Sequence, residues 1–275
     1  MFGIRIVTSA LLAVVALGAT NVAHSASEDA KLHADLEHVA QQRILFGHQS
    51  VGVNLLEGIK QLSTMAGVPV RIVEVKTASE VGPSTIGHTF IAENEKPFLK
   101  LKSFKQAMGM PPTGLDVALT KFCFVDFTAE TDAKALFDSY RATIEDLKAK
   151  NPGTTFVHIT APLTSEQSGP KEFLKRLLGR GGSATNVRRE EYNSLLRKTY
   201  QGREPIFDLA RVESTAPDGK AVTVEWNGIV APAMDSVYTD DGGHLNTLGK
   251  LRAARELISV LAAIPVRPVS HGPVR

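Results

Sequence analysis

The sequence predicts an α/β fold with one central parallel sheet and helices packed on both of its faces. Three observations carry that prediction. Short β-branched or aromatic runs alternate with longer segments of helical period along most of the chain, which is the pattern of repeated βαβ units. Turn residues punctuate the alternation, as in Asn151-Pro-Gly153. A length of 275 residues with 43% hydrophobic and 22% charged composition is enough for one sizeable core. Cys123 is the only cysteine, so the core must hold without a disulfide framework.

The elements run in order. Glu28 to Gln42 reads as a charged amphipathic helix, and Ile44 to Phe46 as the first strand. Val53, Leu56, Ile59 and Leu62 recur at helical spacing, which predicts a helix over Val51 to Met65. Val70 to Val75 is rich in β-branched residues and predicts a second strand. Thr77 to Thr113 is broken by Gly and Pro, with one short helix at Pro97 to Met108. A strand is predicted at Phe122 to Phe127, with Cys123 as a small buried residue, then a helix from Asp132 to Lys150 and a buried strand from Thr155 to Thr160. Leu163 to Gly182 reads as an excursion ending in the Gly179-Arg-Gly-Gly182 turn. A helix at Val187 to Tyr200, a short strand at Pro205 to Leu209 and a hairpin or loop within Thr215 to Val230 around Asp218-Gly219 come next. The last helix spans Thr247 to Ala263.

The two ends read differently. Arg5, the apolar run from Ile6 to Ala19 and the small residues of Ala23-His-Ser25 have the layout of a cleaved secretory leader over residues 1–25. The run is shorter than the ~20 residues that a membrane span requires, so no span is expected after cleavage. The domain then covers 26–264, and the Pro-rich stretch 265–275 reads as a disordered tail. Net charge is +2, falling to +1 when the leader takes Arg5 with it. That balance gives no electrostatic case for nucleic acid as a partner.

Two segments carry chemistry. Near the C-terminus, Asp241-Gly-Gly-His244-Leu-Asn-Thr-Leu-Gly249 leads into the last helix. An acid three residues before a histidine can hold one imidazole nitrogen and leave the other free to take a proton. Asp240 is the alternative acid, one residue away in the same turn. Upstream, Gly47-His-Gln-Ser50-Val-Gly52 runs from a strand into a helix. It puts the Ser50 hydroxyl beside exposed backbone N–H groups, a position that also suits a plain helix cap.

Together these blocks resemble the SGNH (GDSL-type) serine hydrolases. Phe124-Val-Asp126, Tyr140 to Ile144, Asn151-Pro152 and Val157 to Pro162 also follow that superfamily's order of strands and helices. The resemblance implies a flavodoxin-like three-layer α/β/α sandwich, no cofactor and either hydrolysis or transfer of an acyl ester, with an acetyl ester on a carbohydrate or cell-envelope polymer as the expected substrate class. It implies Ser50 as nucleophile, His244 as base and Asp241 as orienting acid. The Ser50 N–H would be one oxyanion donor and Gly87 the second, with Gly82 an alternative for that glycine.

Two departures stand out. The first block is Gly-His-Gln-Ser where the family has Gly-Asp-Ser, and Val125-Asp126-Phe127-Thr128 has no asparagine where the third block expects one. His48 could donate to substrate, replace that asparagine or brace the loop. Gln49 and Asn54 are further candidate donors, and Asp126 could pair with His48, hold the loop or cap a strand end. His48, His88, His158, Asp126, Asp241 and His244 could be imagined as a zinc cluster, but none shows a short ligand spacing. The rival to an esterase is a non-catalytic exported carbohydrate-binding or assembly protein on the same fold. Oligomeric state is not legible.

Overall fold

The computed structural model describes residues 26–166 and 182–266. The leader, all but the last residue of the Gly179–Gly182 turn, and tail residues 267–275 lie outside them. A helix, α1, covers 26–39 and leads into β1 (Arg43–His48), whose side chains alternate across the sheet. Ile44 and Phe46 enter one buried cluster, and Leu45 enters the other on the opposite face. β1 is thus buried on both sides, as expected for the middle of a parallel sheet.

The chain continues through α2 (Ser50–Ala66), β2 (Ile72–Glu74), β3 (Thr85–Phe90), α3 (Pro97–Met108), β4 (Val117–Thr120), α4 (Ala133–Lys150) and β5 (Thr155–Ile159). The excursion read at Leu163 to Gly182 lies, over 167–181, outside the described residues. From Gly182 onward come α5 (Gly182–Tyr200), β6 (Ile206–Phe207), α6 (Leu209–Glu213), the antiparallel hairpin β7 (Thr223–Trp226) and β8 (Ile229–Pro232), and α7 (Thr247–Ala262). Six parallel strands run in the order β2-β3-β1-β4-β5-β6. α1, α2 and α7 bury Leu36, Leu55, Ile59 and Leu257 against one face. α3, α4 and α5 bury Phe104, Phe137, Tyr140 and Tyr192 against the other. This is the three-layer sandwich that the strand–helix alternation predicts. Among the described residues no helix is long and apolar enough to cross a membrane.

The strand order fixes where a crevice forms. The chain goes from β1 to the edge strand β2, returns to β3 between the two, and then crosses to β4 on the other side of β1. The direction of winding therefore reverses beside β1, and such a switch point opens a crevice at the carboxyl ends of the strands.

Two local expectations are corrected. β3 lies inside the Gly- and Pro-broken stretch where no strand is expected. The strand placed at Phe122 to Phe127 is instead Val117–Thr120, and the aromatic run after it is a loop with a 3₁₀ turn at Phe124–Asp126. Between Thr215 and Val230, Asp218-Gly219 closes a loop through a Thr215–Ala221 bridge, and the hairpin of β7 and β8 turns further on, at Asn227-Gly228, both at positive φ.

Candidate active site

β1 delivers the chain to the switch point, and two glycines let it turn there. A Cβ on Gly47 would lie 2.6 Å from the Phe104 ring, and one on Gly52 would lie 2.3 Å from Cβ of His48. Both positions need the missing side chain. Gln49 is the N-cap of α2 and makes no side-chain cap bond, so Ser50 is the first helical residue and its hydroxyl is not spent on capping. At the mouth of α2 the Gly52 and Val53 N–H groups already donate to the Gln49 carbonyl, whereas Ser50 and Val51 open the helix with no helical carbonyl four residues back and stand at the positive end of its dipole.

The second half of the site comes from the turn before α7. Asn246 caps that helix by accepting from Gly249 N–H at 3.1 Å, and Gly249 carries no Cβ because one would sit 2.6 Å from the Tyr238 carbonyl oxygen. These contacts are the physical content of the Leu-Asn-x-x-Gly pattern. Asp241 Oδ1 accepts from the backbone N–H groups of Gly243 (2.9 Å) and His244 (2.8 Å), and Oδ2 accepts from His244 Nδ1 at 2.6 Å. Partial burial works to raise the Asp241 pKa, but those N–H groups and the imidazole outweigh it and hold the carboxyl well below the usual carboxylate range. An ionised Asp241 puts the proton on Nδ1, and Nε2 then accepts from Ser50 Oγ at 2.9 Å.

So the structure brings Ser50, His244 and Asp241 into one hydrogen-bonded line. The other acid of the turn, Asp240, accepts from Asn246 Nδ2 at 3.4 Å, and among the described residues it makes no hydrogen bond to His244. α2 and α7 pack on each other and hold the line together. Asn54 Oδ1 accepts from Leu245 N–H at 3.1 Å, and Lys250 pairs with Glu57 at 2.7 Å. Asn54 is therefore an anchor between the serine helix and the histidine turn.

The remaining candidates do not converge on Ser50 as donors. Gly87 sits mid-strand in β3, opposite Leu45 on one side and Val73 on the other, under the Val81 side chain. The backbone level with Ser50 belongs instead to Ile91 and Ala92, because Ile91 N–H donates to the His48 carbonyl at 3.1 Å. His48 is fully buried, with Nδ1 on the Gln49 carbonyl at 2.9 Å and Nε2 on His88 Nδ1 at 3.1 Å. Burial pushes its pKa down to about 3, so it stays neutral and braces the loop. Gln49 spends its amide N–H groups on the Ile91 and Ala92 carbonyls, both at 2.6 Å. Asp126 is buried on Lys100 at 2.6 Å and accepts from the N–H groups of Cys123 (2.6 Å) and Glu95 (2.9 Å). The loop after β4 meets the site through Phe124, whose ring stands edge-on to the His244 imidazole with centroids 5.3 Å apart. Phe124 sits in an apolar run that gave no signal of a role.

The imagined metal ligands fall into separate groups. His48 pairs with His88, while His158 lies between Tyr140 and Glu204 (2.8 and 3.1 Å) and stacks on Tyr200. Among the described residues no three histidine, cysteine or acidic side chains are placed to share an ion.

No family model and no curated protein matches the sequence. Solved structures do. A candidate platelet activating factor from Streptococcus pneumonia superposes with a TM-score of 0.52 at 14% identity, over 90% of this chain and 99% of its own. A GDSL-like lipase from Bacteroides thetaiotaomicron gives 0.51 at 10% identity, covering 81% of this chain and 89% of its own. The fold is that of the SGNH hydrolases. A candidate acylhydrolase from Bacteroides fragilis shares it as well, with a TM-score of 0.52, 13% identity and coverage of 81% and 87%. On the SGNH fold as this chain builds it, the loop after β4 offers Phe124 and no asparagine side chain.

One buried acid lies behind the site. Burial pushes the Glu213 carboxyl up to about 8, against the opposing pull of Leu163 N–H, Lys121 and Arg189. A folded pKa above the unfolded one means that the stability it confers is whole below about 4.5 and is lost as pH rises through about 8. Glu213→Gln keeps an acceptor for Leu163 and removes the titration. Thermal melts from pH 5 to pH 9 should therefore show wild type losing stability relative to Glu213→Gln. Parallel curves would mean that Glu213 does not titrate in this window.

Proposed function

We propose that the protein is a serine ester hydrolase, and the observation that carries the reading is the continuous Ser50–His244–Asp241 line. Ser50 Oγ attacks the ester carbonyl carbon as its proton passes to His244 Nε2, and Asp241 stabilises the imidazolium that forms. The developing oxyanion is held by the Ser50 N–H and the N-terminus of α2. Collapse expels the alcohol, which takes the proton back from His244. Water then attacks the acyl-enzyme with His244 as base, releasing the acid and restoring Ser50.

Resemblance favours an acetyl ester on a carbohydrate or envelope polymer, met outside the cytoplasm after removal of the leader. A fluorophosphonate probe should label wild type at Ser50 and leave Ser50→Ala unlabelled. Absence of labelling together with absence of turnover on small esters would hand the fold to the non-catalytic binding reading. For export, mass spectrometry of protein secreted by a Gram-negative host should find the mature N-terminus within a few residues of Ser25. Intact Met1 in the cytoplasm would remove that assignment.

A further inference from the structure

Two loops grip the turn that carries Asp241 and His244, and one buried side chain ties them together. On one side Phe124 packs edge-on against the His244 ring, at 78° and 5.3 Å. The fit is close, because a Cβ on Gly243 would lie 2.5 Å from the Phe124 ring. On the other side Ser165 N–H donates to the Gly242 carbonyl at 2.9 Å. Behind both loops lies Arg189, only 2% exposed. Its Nε and Nη2 donate to the Phe124 carbonyl at 3.2 and 2.7 Å, and Nη1 donates to Thr164 Oγ1 at 3.0 Å.

Asn186, one turn earlier on α5, completes the clamp. Its Oδ1 accepts from Thr164 N–H at 3.1 Å and from Arg189 Nη1, and its Nδ2 donates to the Thr164 carbonyl at 2.8 Å. Burying a guanidinium is costly unless its donors are satisfied. Among the described residues, each hydrogen bond of the guanidinium goes to a loop that touches the catalytic turn or to the residue bracing that loop. A planar fork of donors can hold two acceptors in fixed relation, which a lysine ammonium cannot match.

We infer that Arg189 is a positioning residue: by joining the Phe124 carbonyl to Thr164 it fixes the loops on either side of the Asp241–His244 turn, and Phe124 sets the plane of the His244 ring. The inference rests on the hydrolase reading for its kinetic consequence, but not for its structural one. No atom of Arg189 touches the reacting groups; it acts through Phe124 and Ser165.

The test uses Phe124→Ala and Arg189→Lys in the full chain, with near-ultraviolet circular dichroism to verify that each is folded. Two readouts are taken. One is the downfield proton resonance of the His244 Nδ1–H that donates to Asp241. The other is the split between kcat and KM on a small chromogenic acetyl ester. Phe124→Ala should broaden or abolish the resonance and lower kcat by roughly tenfold to a hundredfold, with KM changed by less than about twofold, since misplacement by about an ångström costs that order of rate. Arg189→Lys should move both in the same direction. A folded Phe124→Ala protein with resonance and kcat both unchanged overturns the inference, and this holds even if Arg189→Lys fails to fold. If wild type shows the resonance but no turnover, and Phe124→Ala loses the resonance, the positioning role stands and the hydrolase reading fails.

Discussion

Ser50→Ala should lower turnover of a chromogenic acetyl ester by roughly three decades or more, with melting close to wild type. The expectation of an intact fold comes from the helix boundary. Gln49 occupies the N-cap position and Ser50 is the first helical residue, so removing the hydroxyl deletes no cap. Changes of this kind away from a packed core or a cap stay within ~0.5 kcal/mol. His244→Ala should cost a similar factor, because it removes the Nε2 acceptor 2.9 Å from Ser50 Oγ. The double mutant should be little worse than either single one, since members of one relay do not contribute additively. Asp241→Asn should also cost decades: an amide facing Nδ1 favours the tautomer that turns a proton toward Ser50. Asp240→Asn should be mild, its carboxylate being held among the described residues by a 3.4 Å bond from Asn246. If Ser50→Ala turns over at the wild-type rate, the nucleophile is another group and the relay is structural.

How much of the site is legible in the sequence depends on how local each interaction is. Asp241 and His244 meet within one turn, so their spacing alone announces the pair. Ser50 is legible because a strand-to-helix junction is a local event. The oxyanion side is different, since burial and partners there are set across the fold. His48 is claimed by His88, forty residues on, and Gln49 by the Ile91 and Ala92 carbonyls. Asp126 is claimed by Lys100, which the chain brings in from α3. Nothing at positions 48, 49 or 126 encodes those partners, so each side chain reads as an available donor or acceptor until the tertiary structure takes it.

The same reasoning covers the strands. β3 escapes a pattern search because Gly87 and His88 interrupt its β-branched run, although Ile86 and Thr89 are buried in register with β1. The Phe122–Phe127 stretch misleads in the opposite sense. Its aromatic side chains are buried or partly buried from a loop rather than from a strand, so composition alone places the strand too late.

Gly58→Ala tests whether the two halves of the site depend on the packing of the helices that carry them. Ser50 opens α2, and His244 stands just before α7. At Gly58 the helices approach so closely that a Cβ would lie 2.4 Å from the Lys250 carbonyl oxygen and 2.7 Å from Cβ of Ala254. Two effects oppose each other. Alanine is favoured over glycine inside a helix by ~1 kcal/mol. Against it, the nearest obstructing atom is backbone, so no rotamer change relieves the contact and the helices must separate; overpacking of that kind costs roughly 1–3 kcal/mol. The clash should win, and a lower melting temperature is expected. The kinetic effect should be the larger one. Separating α2 from α7 stretches the 2.9 Å Ser50–His244 contact and loosens the 3.1 Å bond from Leu245 N–H to Asn54. A displacement of about an ångström costs roughly a hundredfold in rate. Turnover should therefore fall well beyond what the loss of folded protein explains. Ala254→Gly in the Gly58→Ala background should restore only part of both losses, because it frees the methyl contact and leaves the carbonyl in place. A Gly58→Ala protein that is more stable than wild type and fully active would show that helix propensity outweighs the contact and that the relay does not depend on this approach.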